Sequence, residues 1–254
     1  MLEMASKIFL KNGLVMSFAL IGITMFISYF ISSKLTKGRI HGSAIAVILG
    51  LVLAYIGGVT TGGKNGISDV EMFSGIGLMG GAMFRDYAIT ATAFGVEFDE
   101  IKKAGLPGVV SLFIGVIGSF IVGAIVAFAF GYTDAVSVTT IAAGAVTFIV
   151  GPITGAAVGA SSQVIVLSIG AGVVKSILVM VVTPFIAKYI GLDNPKSAMV
   201  YGGLMGTTSG VAAGLAATDP KLVPYGAMTA TFYTGLGALL APSVLFLLTK
   251  AILG

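Results

Sequence analysis

Arg85, Asp86 and Lys175 are the residues from which chemistry in this chain must start, because each places a charge inside an apolar run. An unpaired charge at that depth costs at least a few kcal/mol, so intramembrane ionisable groups have partners or line water. Neighbours on a helix point about 100° apart, so Arg85 and Asp86 do not form a helix-face pair with each other. A guanidinium fork suits a carboxylate, whereas a compact ammonium suits an ion pair. Arg85 is therefore expected to hold an anionic ligand and Lys175 to balance Asp86, with Lys175 as the other candidate for the anion. Burial of Arg85 and Asp86 against other helices is the competing structural reading. A second set of candidates is uncharged. Pro152 lacks an N–H and clashes with the turn before it, so a helix must kink or stop near Val150-Gly151. Backbone groups freed there must face protein or a polar cavity. Thr147, Gly151, Pro152 and Thr154 thus form a candidate binding break, with a plain kink as the alternative. Ser162 and Gln163, next to Ser161, cap the following helix or reach into the same site. Thr207, Thr208 and Ser209 could replace part of the hydration shell of a small ion, and Asp86 and Asp219 are candidate cation ligands. Asp219 in Thr218-Asp219-Pro220 is equally a turn or helix cap. Gly202, Gly206, Gly210 and Gly214 are spaced by four and read as one packing stripe.

The elements that position these groups are membrane helices. Of 254 residues 57% are apolar and 9% charged, 37 are glycine, and the mean hydropathy is +1.07. A soluble domain carries about 25% charge, so an ordinary cytoplasmic enzyme, a nucleic-acid binder and a disordered chain are excluded. With no cysteine and one histidine, disulfides, thiolate chemistry and zinc sites fall away. A span needs about 20 residues, and about eight segments qualify: Leu14–Ser33, Ser43–Gly58, Met72–Gly95, Leu106–Phe130, Thr139–Ala160, Val164–Ile190, Val200–Ala217 and Tyr225–Leu248. The first reads as a retained helix rather than a cleaved signal. Positive charge is densest in Lys34–His41, which places that loop in the cytoplasm with Lys102 and Lys103. Eight plain crossings would put Lys188 and Lys196 outside. If Thr139–Ala160 re-enters at Gly151-Pro152, both fall inside, as does Lys250.

Gly77-Leu78-Met79-Gly80 recurs as Gly203-Leu204-Met205-Gly206, about half the chain later. The repeat suggests two membrane halves, 1–130 and 131–254, with no soluble domain. Re-entry makes the halves antiparallel, as inverted-repeat secondary transporters with broken helices require. The fold expected is thus an all-α polytopic membrane protein. There is no phosphate loop and no potassium-filter signature, nor a defensible intramembrane protease set. An integral-membrane enzyme acting on lipid is the weak alternative to a carrier.

Lys37–Ala46 followed by Leu49–Tyr55 resembles the malonate/sodium symporter M subunit, MadM. So do Gly75–Asp86, Gly144–Ser162, Asp193–Gly214 and Ala217–Thr234, together covering nearly the whole chain. The resemblance implies malonate uptake coupled to sodium, no other cofactor, a bacterial inner membrane and a smaller membrane partner, MadL. It supplies no residue roles. A carrier for another small carboxylate, a scaffold for a transporting partner, and assembly into an oligomer are compatible with the same residues.

Overall fold

The computed structural model describes residues 10–38, 40–63, 66–78 and 98–254, and all regular structure among them is helical. Arg85, Asp86 and most of the expected Met72–Gly95 segment lie outside the described residues, as do Met79 and Gly80 of the repeated string. The chain groups into two units, 1–95 and 96–254.

The first unit is a pair of helices, α1 (Gly13–Lys34) and α2 (Gly42–Thr61), followed by short 3-10 turns at Gly66–Asp69 and Glu71–Phe73. Its packing is the reverse of a soluble domain. The buried residues of α1 are Ser17, Ser28 and Ser32, while Phe26 and Tyr55 are about three-quarters exposed. Each buried serine donates to a backbone carbonyl, so small satisfied hydroxyls let the backbones approach and large apolar groups face outward. His41 caps α2 by accepting from the Ser43 amide, and its ring stands edge-on to Tyr29. Burial lowers the His41 pKa, favouring the neutral ring that can accept this bond.

The second unit opens with α3 (Phe98–Ala129), whose membrane-length part begins at Gly105, a left-handed residue at φ 58°. Next come α4 (Ala135–Val146) and α5 (Val150–Val158). They do not continue one another. A Cβ on Gly151 would lie 2.9 Å from the Gly144 Cα, and one on Gly155 would lie 2.9 Å from the Thr140 methyl. Residue numbers rise on one arm as they fall on the other, so the two half-helices form an antiparallel hairpin. Its tip is Thr147–Ile149. There Thr147 is extended, and its carbonyl and hydroxyl both accept from the Val150 amide, at 3.0 and 3.2 Å. Pro152 is the third residue of α5, where its missing N–H costs no intrahelical bond. The break therefore precedes the position expected from the proline.

Helix α6 (Ser162–Ile186) then runs the length of the unit. The first hairpin lies along its first half, with Gly155 against Ile165, Gly151 against Ser168 and Phe148 against Gly172. A second pair, α7 (Pro195–Met205) and α8 (Thr208–Ala216), lies along the other half. Gly210 meets Ser176 and Val179, Gly214 meets Thr183, and Tyr201 of α7 shares a 2.6 Å hydrogen bond with the same Thr183. Both arms thus flank one end of α6, and their tip is Gly206-Thr207. Gly206 takes φ 66° and the Thr207 hydroxyl accepts from the Gly210 amide. Gly226 of α9 (Val223–Leu240) wedges between the arms, against Ala198 on one side and Val211 on the other. Helix α9 continues past the first hairpin's tip, where Gly237 meets Val146 and Val150. It then passes a π turn at Ala241–Leu245 and ends in α10 (Phe246–Leu253).

These contacts bear on three expectations. Five helices among the described residues are long and apolar enough to span a membrane; of the eight expected segments Thr139–Ala160 and Val200–Ala217 are each two half-helices, and Met72–Gly95 lies mostly outside the described residues. The four glycines are not one stripe, because the left-handed Gly206 ends α7. Gly202 faces Gly226, Gly206 faces Tyr233, and Gly210 and Gly214 face α6. Lys250 does not share an end with Lys188 and Lys196. Leu253 packs with Ala127, Val138 and Val164 at the base of the first hairpin, while Lys188 and Lys196 flank the base of the second.

Candidate functional site

The tips of the two hairpins reach α6 within one turn of each other, at Gly172 and Ser176, and Lys175 lies between them. Its Nζ donates to the Ser119 hydroxyl of α3 at 2.9 Å, to the Val146 carbonyl at 2.9 Å and to the Tyr233 hydroxyl of α9 at 3.1 Å. Val146 is the last residue of α4, where carbonyls lack an intrahelical donor. Tyr233 is fully buried and donates its own proton to the Gly115 carbonyl at 3.1 Å, which turns an oxygen lone pair toward the ammonium. All three protons of Lys175 thus end on neutral oxygens. Among the described residues no carboxylate stands within ion-pair distance of it. Asp86, expected to balance this charge, lies outside them.

Two helix N-termini face the same region. The Thr147 hydroxyl accepts from the Val150 amide that opens α5, Thr207 caps α8, and the Thr207 hydroxyl also shares a 2.5 Å hydrogen bond with Ser176. A helix N-terminus carries about half a positive charge, although in α5 the Val150 and Gly151 amides already donate to the Thr147 carbonyl and Pro152 has none. Lys175 itself is half-buried.

The remaining candidates divide. Thr147, Gly151 and Pro152 are at the first tip or one turn inside it. Thr154 is fully buried in α5, and its hydroxyl, with that of Thr139, has no hydrogen-bond partner. Ser162 and Gln163 are exposed at the start of α6, thirteen residues or about 20 Å from Lys175. The cap of that helix is Ser161. In the second tip Thr207 is buried, Thr208 half-buried and Ser209 exposed. Asp219 caps the 3-10 turn Pro220–Leu222, accepting from the Lys221 amide at 3.0 Å. It lines a surface pocket of about 330 Å³ with Lys188 and Asp193, at the base of the second hairpin.

Sequence reasoning missed Ser119, the Val146 carbonyl and Tyr233. A usable signal was present. Left-handed Gly131 and Gly191, the capping residues Asp134 and Asn194 with their partners Ser137 and Ser197, and the tip residues Thr147 and Thr207 each recur at a separation of sixty.

A family model described as the malonate/sodium symporter MadM subunit matches residues 5–253. The chain belongs to this family. No curated protein and no solved structure matches it. Membership makes the chain a subunit of a malonate/sodium transporter, and the apolar helices make it a multi-pass membrane protein.

Proposed function

We propose that this chain is the substrate-holding subunit of a sodium-coupled malonate carrier in a bacterial inner membrane, working with a smaller MadL-like membrane partner. The observation that carries the reading is the excess of positive charge where the hairpins meet, one ammonium and two helix N-termini with no carboxylate among the described residues. A dianion fits that excess. One carboxylate would take Lys175, the other the amides at one tip, and the small hydroxyls of Thr147 and Thr207 would leave room for both.

The arrangement also supports an inverted repeat, with α3–α5 as one half and α6–α8 as the other. The halves share the sixty-residue correspondence, and their hairpins approach α6 from opposite ends. Discontinuous helices whose N-termini meet near the midplane are a recurring design of secondary transporters. With the second hairpin on the cytoplasmic side, Lys102, Lys188, Lys196 and Lys221 share that side, as the positive-inside rule favours.

Uptake of labelled malonate into proteoliposomes, with and without a sodium gradient and with and without the partner subunit, tests the reading. Sodium-dependent uptake that is lost in Lys175→Met is expected. Uptake by the partner alone, or sodium-dependent uptake that survives Lys175→Met, would refute it.

A further inference from the structure

We propose that the Ser119 hydroxyl, the Val146 carbonyl and the Tyr233 hydroxyl form a monovalent-cation site, which the Lys175 ammonium occupies in this state and leaves when a substrate carboxylate draws it away. The proposal rests on the malonate reading and adds to it where a coupling ion sits.

All three groups around Nζ are neutral oxygens, the ligand type that suits a hard cation. They converge from three elements, α3, the first hairpin tip and α9, so the cage exists only when those elements are packed together. Its members are oriented before any ion arrives. Tyr233 is held as a donor to Gly115, leaving its lone pair facing inward. Val146 offers a carbonyl at a helix break, the group that coordinates sodium in broken-helix transporters. Without the ammonium the Ser119 hydroxyl would be the one donor left among these oxygens, the Tyr233 proton being held by Gly115, and buried acceptors left without a donor are costly.

Lysine is also the residue able to leave. Its charge rides on a flexible four-carbon stem, its side chain is only half-buried, and the hairpin tips lie within a turn of it. A carboxylate at the tips gives the ammonium a second, charged partner. The vacated cage then accepts sodium, while sodium in the cage keeps the ammonium on the carboxylate. The two ligands therefore strengthen each other's binding by the same factor, as linkage requires.

Equilibrium binding of radioactive sodium to the purified full chain in lipid nanodiscs tests this, with malonate present or absent. In the wild type, malonate should raise sodium affinity by about tenfold or more, within the usual range of coupling factors. Lys175→Met, with the cage permanently vacant, should bind sodium without malonate about as tightly as the wild type does with it, and added malonate should change nothing. Ser119→Ala and Tyr233→Phe keep the test decisive if Lys175→Met does not fold. Each removes one cage oxygen, so each should weaken sodium binding in the presence of malonate yet tighten malonate binding in sodium-free buffer. A residue that merely supports the fold would weaken both. A folded Lys175→Met with no gain in malonate-independent sodium binding overturns the proposal, as does unchanged sodium affinity in both oxygen deletions. If the wild type binds no malonate, the transport reading fails separately, and sodium binding by Lys175→Met still decides the cage.

Discussion

Gly206→Ala probes the link between the second hairpin tip and Lys175. Gly206 sits at φ 66°, and the nearest atoms to an added Cβ are three carbons of the Tyr233 ring. The left-handed backbone alone costs an alanine about 1–2 kcal/mol. Overpacking against a fully buried ring adds about 1–3 kcal/mol, for a total of about 2–5 kcal/mol. Gly159→Ala separates the two contributions, because Gly159 is also left-handed, at φ 78°, yet has nothing within 4 Å of its Cβ position. It should lose only about 1–2 kcal/mol. Unfolding by titration with a denaturing detergent, followed by tyrosine fluorescence in a chain without tryptophan, measures both variants. The displaced ring should also shift its hydroxyl from Gly115 and Lys175, so Gly206→Ala alone should change malonate affinity. Equal destabilisation by the two substitutions, or an unaltered malonate affinity in Gly206→Ala, would refute the reasoning.

Other consequences are as direct. Gly210 stands 3.0 Å from the Ser176 carbonyl and 3.1 Å from the Val179 side chain by its Cβ position, so Gly210→Leu should force α8 off α6 and abolish transport at normal membrane insertion, as read by uptake and by yield. Single cysteines in this cysteine-free chain should label at Lys188, Lys196 and Lys221 from the cytoplasmic face and at Thr133 and Lys250 from the opposite one; labelling of Lys196 and Lys250 from the same face would exclude the double hairpin. Asp134→Ala removes the cap on α4 and should cost about 1 kcal/mol. Slight burial raises the Asp134 pKa, but the bonds from the Ser137 amide and hydroxyl outweigh it and hold the pKa below its usual value. That stability should fade as pH falls through the lowered folded pKa and be absent in Asp134→Ala.

Hydropathy made the membrane class and the long helices legible, because composition alone demands a bilayer and α1, α2, α3 from Gly105 onward and, but for Lys175, α6 are continuous apolar runs. It could not show that Thr139–Ala160 and Val200–Ala217 reverse direction, since a half-helix that turns back is as apolar as one that continues. Pro152 drew the eye two residues past the fold of the first hairpin, for a proline is tolerated inside the first turn of a helix. The spacing of Gly202, Gly206, Gly210 and Gly214 imitated a stripe, and only the backbone angle at Gly206 breaks it. Lys175 was legible as a charge out of place. Its partners were not, because a serine, a tyrosine and a backbone carbonyl carry no mark in a sequence until helices bring them together.

A tethered ammonium changes where the membrane voltage acts on the cycle without changing its sum. Moving one charge through 100 mV costs or yields about 2.3 kcal/mol. Malonate alone carries two negative charges inward against a negative interior. Held on Lys175 with one sodium ion in the vacated cage, the loaded site is neutral, and its reorientation is indifferent to voltage. The return step then carries the bare ammonium outward, against the potential. With a second sodium ion the loaded step gains one positive charge inward, and the return step gives it back. Net voltage drive thus needs a third sodium ion, whether or not a lysine takes part. The lysine's contribution lies elsewhere, in making the empty and fully loaded forms the two in which no charge at the site lacks a partner. Uptake measured against an imposed potassium diffusion potential should therefore separate the steps. With the loaded step limiting and one sodium bound, initial rates are flat with voltage; in a regime limited by return they slow as the interior becomes more negative. A loaded step that slows as the interior becomes more negative would mean that net negative charge moves inward, and the pairing of ammonium, dianion and sodium argued above would be wrong.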